Sequence, residues 1–333
     1  MSAPLLEVQD VSVTFDVARQ GSWPWTPPHA LQAVKQASIM LEPGQTLGLV
    51  GESGSGKSTL ARAIVGTVPI STGQVLWRGE DVVGLSAAHQ RARGRHVQMV
   101  FQDPLDALNP RMTVGQIVAE PLLTHFPDLS KEDIRAKVGG MMERVGLLPA
   151  LINRYPHEFS GGQCQRIGIA RALITGPELL ICDEPVSALD VSVQAQVVNL
   201  LQDLQRDMGL ALLFIAHDLS VVRHISHRIA VMYLGRIVET AAAPELIANP
   251  RHPYTKALIA SVPIPSPKAE RQRHRPVLEG ELPSPMAPPS GCVFRTRCPI
   301  ARASCAETMP AVAVLENDHF VACPYHSEGE TPS

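Results

Sequence analysis

Residues 46–59 read TLGLVGESGSGKST. The stretch starts as a short apolar run and ends in glycines, a lysine and hydroxyls. Residues 46–51 predict a buried strand closed by glycine, and GKSTLARAIVGTV predicts a helix directly behind it. Gly51 to Ser58 fits G-x-x-x-x-G-K-[ST] with a strand before and a helix after, the context that makes this motif specific. Its glycines let backbone N–H groups turn inward around the phosphates of a nucleoside triphosphate. A helix N-terminus adds only ~0.3–2 kcal/mol to such an anion, too little to hold a tetra-anion. Lys57 must supply a full charge at the β- and γ-oxygens, and Ser58 Oγ is placed to help hold Mg²⁺.

LLICDE at 179–184 supplies the complementary acids. A hydrophobic strand buries itself and projects Asp183 and Glu184 from its C-terminal end. Asp183 is a hard oxygen donor suited to the metal, and Glu184 is suited to polarise an attacking water as general base. A pair of acids at a strand end is also a common solvated turn, and only the phosphate loop makes the catalytic reading the better one. Gln102 ends the strand HVQMVFQ, where an amide can touch both Mg²⁺ and the attacking water; alone it would be polar surface. His217 follows the strand ALLFIA, where it can donate to a γ-phosphate or serve simply as a core or surface histidine.

Strands and helices alternate through the remainder. LLEVQDVSVTF (5–15) predicts a strand, residues 18–30 a Pro- and Trp-rich loop, and RIAVMYLGRIVET a strand pair around Gly235. From about 103 to 175 the pattern is helical, with Ser130 as an N-cap for SKEDIRAKVGGMMERVGL. VQAQVVNLLQDLQRDMGL predicts a long amphipathic helix. The expected class is α/β, a parallel sheet interrupted by a helical insertion. Residues 263–289 hold eight prolines in 27 positions and read as an extended linker.

Composition narrows the classes of function. Aromatics are 4% of the chain and the net charge is −3, which argues against a base-stacking or basic nucleic-acid surface. The N-terminus lacks the pattern of a signal peptide. The longest apolar run, LALLFIA at 210–216, is far short of the ~18 residues a membrane span needs. A cytoplasmic chain is expected, with Cys164 and Cys182 as buried hydrophobes.

FSGGQCQR at 159–166 raises a puzzle, because a Ser-Gly-Gly-Gln run opening a helix is a second phosphate-holding feature. GESGSGKST, FQDP, FSGGQ, LLICDEP, SALD and His217, in this order, resemble the ATP-binding subunits of ABC transporters over nearly the whole chain. The resemblance implies a P-loop NTPase ABC nucleotide-binding domain with a RecA-like core, an antiparallel β subdomain and a helical subdomain. It implies ATP held by Gly51, Ser53, Gly54, Ser55, Gly56, Lys57, Ser58 and Thr59, with Phe15 stacked on adenine; the other reading of Phe15 is a core aromatic. It implies Mg²⁺ held through Ser58, Gln102 and Asp183, and catalysis by Glu184, His217 and Gln102. It also resolves the puzzle. Two subunits stack head to tail, and Ser160, Gly161, Gly162 and Gln163 of one meet the γ-phosphate held by the other. Asp190 in SALD fits the loop that links the two sites. The helical insertion is implied to dock a cytoplasmic helix of a membrane subunit.

HPYTKAL (252–258), the Pro-rich linker and GCVFRTRCP…C…ACP are similar to the oligopeptide/dipeptide importer ATPases, the F-type subunits of oligopeptide permeases above all. That likeness implies a heterodimer with a D-type ATPase, two transmembrane permease subunits, an extracytoplasmic peptide-binding protein and no nucleic acid. The location implied is the cytoplasmic face of the inner membrane, held peripherally. The expected segments are an ATP-binding domain at 1–262, a linker at 263–290, a small Cys-rich extension at 291–326 and a disordered tail at 327–333.

Cys292, Cys298, Cys305 and Cys323 are spaced by 5, 6 and 17 residues. Disulfides are disfavoured in a reducing compartment, and no C-x-x-C pair points to zinc. Four thiolates suit a [4Fe–4S] cluster, and Cys298 and Cys323 each precede proline; zinc, and plain thiols or opportunistic disulfides, remain alternatives. An ATPase of peptide import is the leading function. A soluble ABC ATPase acting on nucleic acid or the ribosome is the alternative, as is a regulatory module without a membrane partner.

Overall fold

The structure is a computed structural model and describes residues 3–17, 29–262 and 280–327. The segment 18–28, most of the Pro-rich linker and the tail from 328 lie outside the described residues.

The chain opens with β1 (Leu6–Val17), β2 (His29–Leu41), β3 (Thr46–Val50), α1 (Lys57–Val65), β4 (Thr72–Trp77) and β5 (Glu80–Asp81). It continues with α2 (Ala87–Arg93), β6 (Val97–Val100), α3 (Val114–His125), α4 (Lys131–Arg144), α5 (Gly161–Leu173) and β7 (Leu179–Asp183). Next come α6 (Val191–Met208), β8 (Ala211–Ala216), α7 (Leu219–Ile225), β9 (Arg228–Tyr233) and β10 (Arg236–Ala242). The last elements are α8 (Ala243–Ala248), α9 (Pro253–Ser261), β11 (Ala313–Leu315) and β12 (His319–Val321).

These elements form two compact units. One holds residues 82–216 with short pieces of the N-terminal region. Its strands β6, β7 and β8 are parallel neighbours, with Ile181 paired to both Met99 and Leu213. Every residue of β7 and β8 is buried, as expected for parallel strands covered on both faces. The helices α3, α4 and α5 make up half of the residues between β6 and β7. Their starts are set by local chemistry: Thr113 caps α3 in a reciprocal box with Gln116, and Ser130 caps α4 by accepting from the Asp133 N–H.

The other unit holds the described residues within 6–40, 47–81 and 217–333. One of its sheets has the order β2-β1-β4-β5, with β1, β4 and β5 antiparallel. In the other, β3 runs parallel to β9, and β9, β10, β12 and β11 follow as antiparallel neighbours. Two elements depart from the sequence expectation. His29 and Ala30 belong to β2 rather than to a loop, and from Lys35 to Leu41 every second residue of β2 is buried. β12 pairs with β10 through Glu239–Val321 and Thr240–Phe320, so the Cys-bearing segment extends the sheet built on β3.

The segment is tied in by more than backbone pairing. Glu239 is fully buried and accepts hydrogen bonds from the Arg251 N–H (2.7 Å), the His252 N–H (2.9 Å) and His319 Nε2 (2.7 Å). Phe294 is 0% exposed and meets Tyr233 edge-on with ring centroids 5.2 Å apart. Tyr254 and His252 complete the cage at 5.4 and 5.6 Å.

Candidate nucleotide site

β3 delivers Gly51 into a turn that ends at α1. Gly56 precedes that helix with φ 103°, and a Cβ there would lie 2.4 Å from the Ala33 carbonyl oxygen, so only glycine is tolerated. α1 has no side-chain cap hydrogen bond, and a helix N-terminus of this kind suits an anion. Lys57 is buried and its ammonium donates to the carbonyls of Gly51 (2.9 Å) and Glu52 (3.0 Å) and to Ser55 Oγ (3.4 Å). The loop thus gathers Gly51, Ser55 and Lys57, with Ser53 and Gly54 exposed and Ser58 and Thr59 half-buried. Phe15 is 37% exposed near the end of β1, a ring at the surface rather than in the core.

In the other unit β7 ends on Asp183, 1% exposed. Glu184 follows in the left-handed region at φ 47°. Its N–H donates to the Ile215 carbonyl (3.0 Å), and its own carbonyl accepts from Ser187 Oγ (3.1 Å). Gln102, just after β6, donates its amide to Glu184 Oε2 at 3.1 Å. Two residues chosen from separate stretches of sequence therefore touch.

Ser160 caps α5. Its Oγ accepts from the Gln163 N–H (3.4 Å), and Gln163 Oε1 accepts from the Ser160 N–H (3.0 Å). Gly161 and Gly162 form the first turn behind that cap. A Cβ on Gly162 would sit 2.5 Å from Val193 Cγ1, so this helix tip packs closely on the start of α6. Asp190 is exposed at the N-terminus of α6 without a side-chain cap bond. His217 is exposed next to Asp218, whose carboxylate caps α7 through the Ser220 N–H (2.8 Å).

The four C-terminal thiols lie close enough to influence one another. Burial pushes Cys298 up to about 11, with the neighbouring thiols of Cys323, Cys292 and Cys305 adding to the shift. Cys292 and Cys323 are likewise raised by burial first. The Cys292 N–H donates to the Cys305 carbonyl at 2.7 Å. Among the described residues no group of three or more His, Cys, Asp or Glu side chains could hold a metal ion. Neither the expected [4Fe–4S] cluster nor the zinc alternative finds a preformed site among the described residues.

Sequence reasoning missed a set of contacts on the phosphate loop itself. Arg297 Nη1 donates to both carboxylate oxygens of Glu52, at 3.0 and 2.9 Å. The Glu52 N–H donates to Tyr254 Oη at 2.9 Å. HPYTKAL and GCVFRTRCP were the visible signals, but only as marks of likeness. Their structural work is to place Tyr254 and Arg297.

Over 321 residues the chain is 61% identical to the oligopeptide transport ATP-binding protein OppF of Salmonella typhimurium, covering 96% of this chain and 95% of that one. The chain belongs to the ATP-binding subunits of oligopeptide ABC transporters. The OppF protein of Escherichia coli is 60% identical over 321 residues with the same coverage. Residues 34–187 match the ABC transporter family, and residues 238–305 match the C-terminal region of oligopeptide/dipeptide transporters. The latter match spans α9 and its Tyr254, and also Phe294, Arg297 and three of the four cysteines. The dimeric post-hydrolysis state of the ATP-binding cassette MJ0796, bound to ADP and Pi, resembles the chain with TM-score 0.63 at 26% identity, covering 72% of this chain and 98% of that one. Among the described residues no helix of this family member is long and apolar enough to cross a membrane.

Proposed function

We propose that this chain is the ATP-hydrolysing subunit of an oligopeptide importer and that ATP closes it onto a companion ATPase. The observation that carries the reading is the uncapped start of α1 behind a loop that folds around the buried Lys57 ammonium, in a chain 61% identical to an oligopeptide transport ATP-binding protein. The loop binds the triphosphate, and Lys57 exchanges the carbonyls of Gly51 and Glu52 for phosphate oxygens. Phe15 stacks on the base. Ser58, Gln102 and Asp183 offer hard oxygen donors that suit Mg²⁺, and bound Mg²⁺ neutralises charge developing on the phosphoryl oxygens. Glu184 takes the proton of the attacking water, Gln102 orients that carboxylate, and His217 donates to the γ-phosphate.

Ser160, Gly161, Gly162 and Gln163 act in trans, as an anion-binding helix tip for the nucleotide of the companion, and Asp190 links the two sites. The dimeric state of MJ0796 supports a paired arrangement. ATP then drives closure because it binds the closed pair better than the open one. The companion is a D-type ATPase, the helical segment 103–175 docks a cytoplasmic helix of one of two permease subunits at the cytoplasmic face of the inner membrane, and an extracytoplasmic peptide-binding protein delivers the cargo. The bounds 1–262, 263–290 and 291–326 mark the ATP-binding domain, linker and Cys segment.

Cys292, Cys298, Cys305 and Cys323 hold a [4Fe–4S] cluster in this reading. Each iron of such a cluster takes one cysteine, so the donors stand wider apart than the ligands of one ion. Iron and acid-labile sulfide in anaerobically purified protein are expected; iron-free protein removes the cluster from the proposal.

Purifying the tagged full-length chain from detergent-solubilised membranes tests the main reading. Two membrane-spanning subunits and a second ATPase should co-purify, with ATP turnover. Recovery instead with ribosomes, or salt-sensitive binding to nucleic acid, would replace it.

A further inference from the structure

Glu52 is the first variable residue of the phosphate loop, and all three of its polar groups are taken. Its N–H goes to Tyr254 Oη, its carbonyl receives Lys57, and its carboxylate receives Arg297. Lys57 must leave when a triphosphate arrives. The other two holds come from residues that have no part in phosphate chemistry.

Arg297 is well placed for this work. Its side chain is 8% exposed and its guanidinium carbon lies 6.0 Å from the centre of the Tyr233 ring. Its backbone N–H donates to the Phe294 carbonyl at 3.0 Å, and Phe294 is locked in the cage of Tyr233, Tyr254 and His252. The turn from Phe294 to Arg297 lies between Cys292 and Cys298. It therefore offers one buried ring as anchor and one cation as probe. A partly buried charge pair of this kind is strongly felt when one partner is removed.

We propose that Arg297 is a positioning residue for ATP binding, by which the Cys-bearing segment holds the phosphate loop open in its binding form through Glu52. With Arg297 and Tyr254 in place, the loop keeps its shape while Lys57 changes partners, so less ordering remains to be done by the nucleotide. Without Arg297, release of Lys57 leaves Glu52 the Tyr254 contact and the Ser55 N–H to its carbonyl (3.2 Å), which lies within the loop itself. The inference rests on ATP occupying residues 51–59.

The test uses the assembled membrane complex and reads KM for ATP, kcat, and thermal stability. Arg297→Ala should raise KM for ATP about tenfold, the scale of remote coupling residues, with kcat at saturating ATP within about twofold. Glu52→Gln, which keeps volume and removes the charge, should give the same shift. The double variant should be no worse than either single one. Arg297→Lys should recover most of the affinity, since the contact runs through one nitrogen. A purely structural role would lower the melting temperature and the active fraction while leaving KM unchanged, and that result overturns the proposal. If Arg297→Ala fails to fold, Glu52→Gln alone decides by the same criterion. Lys57→Ala separates the premises: undiminished ATP binding in that variant refutes the nucleotide site itself, whereas loss there with unchanged KM in Arg297→Ala refutes only the positioning role.

Discussion

The amide of Gln102 donates to the carboxylate of Glu184 at 3.1 Å, across 82 residues of sequence. An acceptor carboxylate must be aimed if it is to take a proton from water, and this amide aims it. The backbone adds a second constraint. A non-glycine residue in the left-handed region costs ~1–3 kcal/mol, and Glu184 is held there by Ile215 on one side and Ser187 on the other.

Glu184→Gln should therefore keep ATP binding within a few-fold while turnover falls by ~10²–10⁴. The glutamine still pairs with Gln102 but cannot accept a proton. Single-turnover hydrolysis alongside nucleotide retention measures both; normal turnover in this variant rejects Glu184 as the base.

Ser160→Arg should abolish ATP-driven association while the separate chain still binds ATP. The new side chain sits at the exposed tip of α5, where the capping box of Ser160 and Gln163 opens the helix. Its bulk blocks a facing surface, and loss of the cap costs about 1 kcal/mol of helix stability. Size-exclusion chromatography with ATP in the Glu184→Gln background reads association, and equilibrium titration reads affinity. If Ser160→Arg lost ATP affinity as completely as Lys57→Ala, the helix tip would be acting in cis.

What was legible in the sequence was local. The strand, glycine loop and helix of β3 and α1 lie within twenty residues, and each step has its own residue signature. Asp183 and Glu184 were visible because a fully apolar strand announces its own end. β2 was less clear because Lys35 and two glutamines, Gln32 and Gln36, break its hydrophobic pattern, although alternate residues from Lys35 are buried. The C-terminal strands have three residues each, too few for a periodicity. Arg297 and Glu52 are 245 residues apart, and no spacing rule connects them. The left-handed backbone at Glu184 has no sequence signal either, since glutamate does not advertise that conformation.

Stability should depend on pH through His252. Burial lowers its pKa to about 4, with Glu239 opposing the shift, and its Nδ1 accepts the Tyr254 N–H as a neutral ring must. The unfolded chain titrates near ~6.5. Between those values the unfolded state binds more protons, so the stabilisation is whole above about pH 6.5 and is lost as pH falls toward 4, about 3 kcal/mol in all. His252→Asn keeps an acceptor for the Tyr254 N–H and should flatten this slope in urea unfolding measured across that range. An unchanged slope would assign the pH dependence to other groups.

Phe294→Ala should be among the most damaging substitutions outside the nucleotide residues. The ring is fully buried against Tyr233, Tyr254 and His252, and removing it leaves a cavity that three large rings cannot easily close. Phe-to-Ala changes of this kind cost ~3–5 kcal/mol. Phe294→Leu keeps most of the volume and should cost less than half as much. Urea unfolding followed by tyrosine fluorescence measures both. Because β12 is paired to β10, the loss should appear in the same transition as the unit that carries the phosphate loop. A separate early transition, with the rest of that unit unmoved, would mean that the Cys-bearing segment folds on its own.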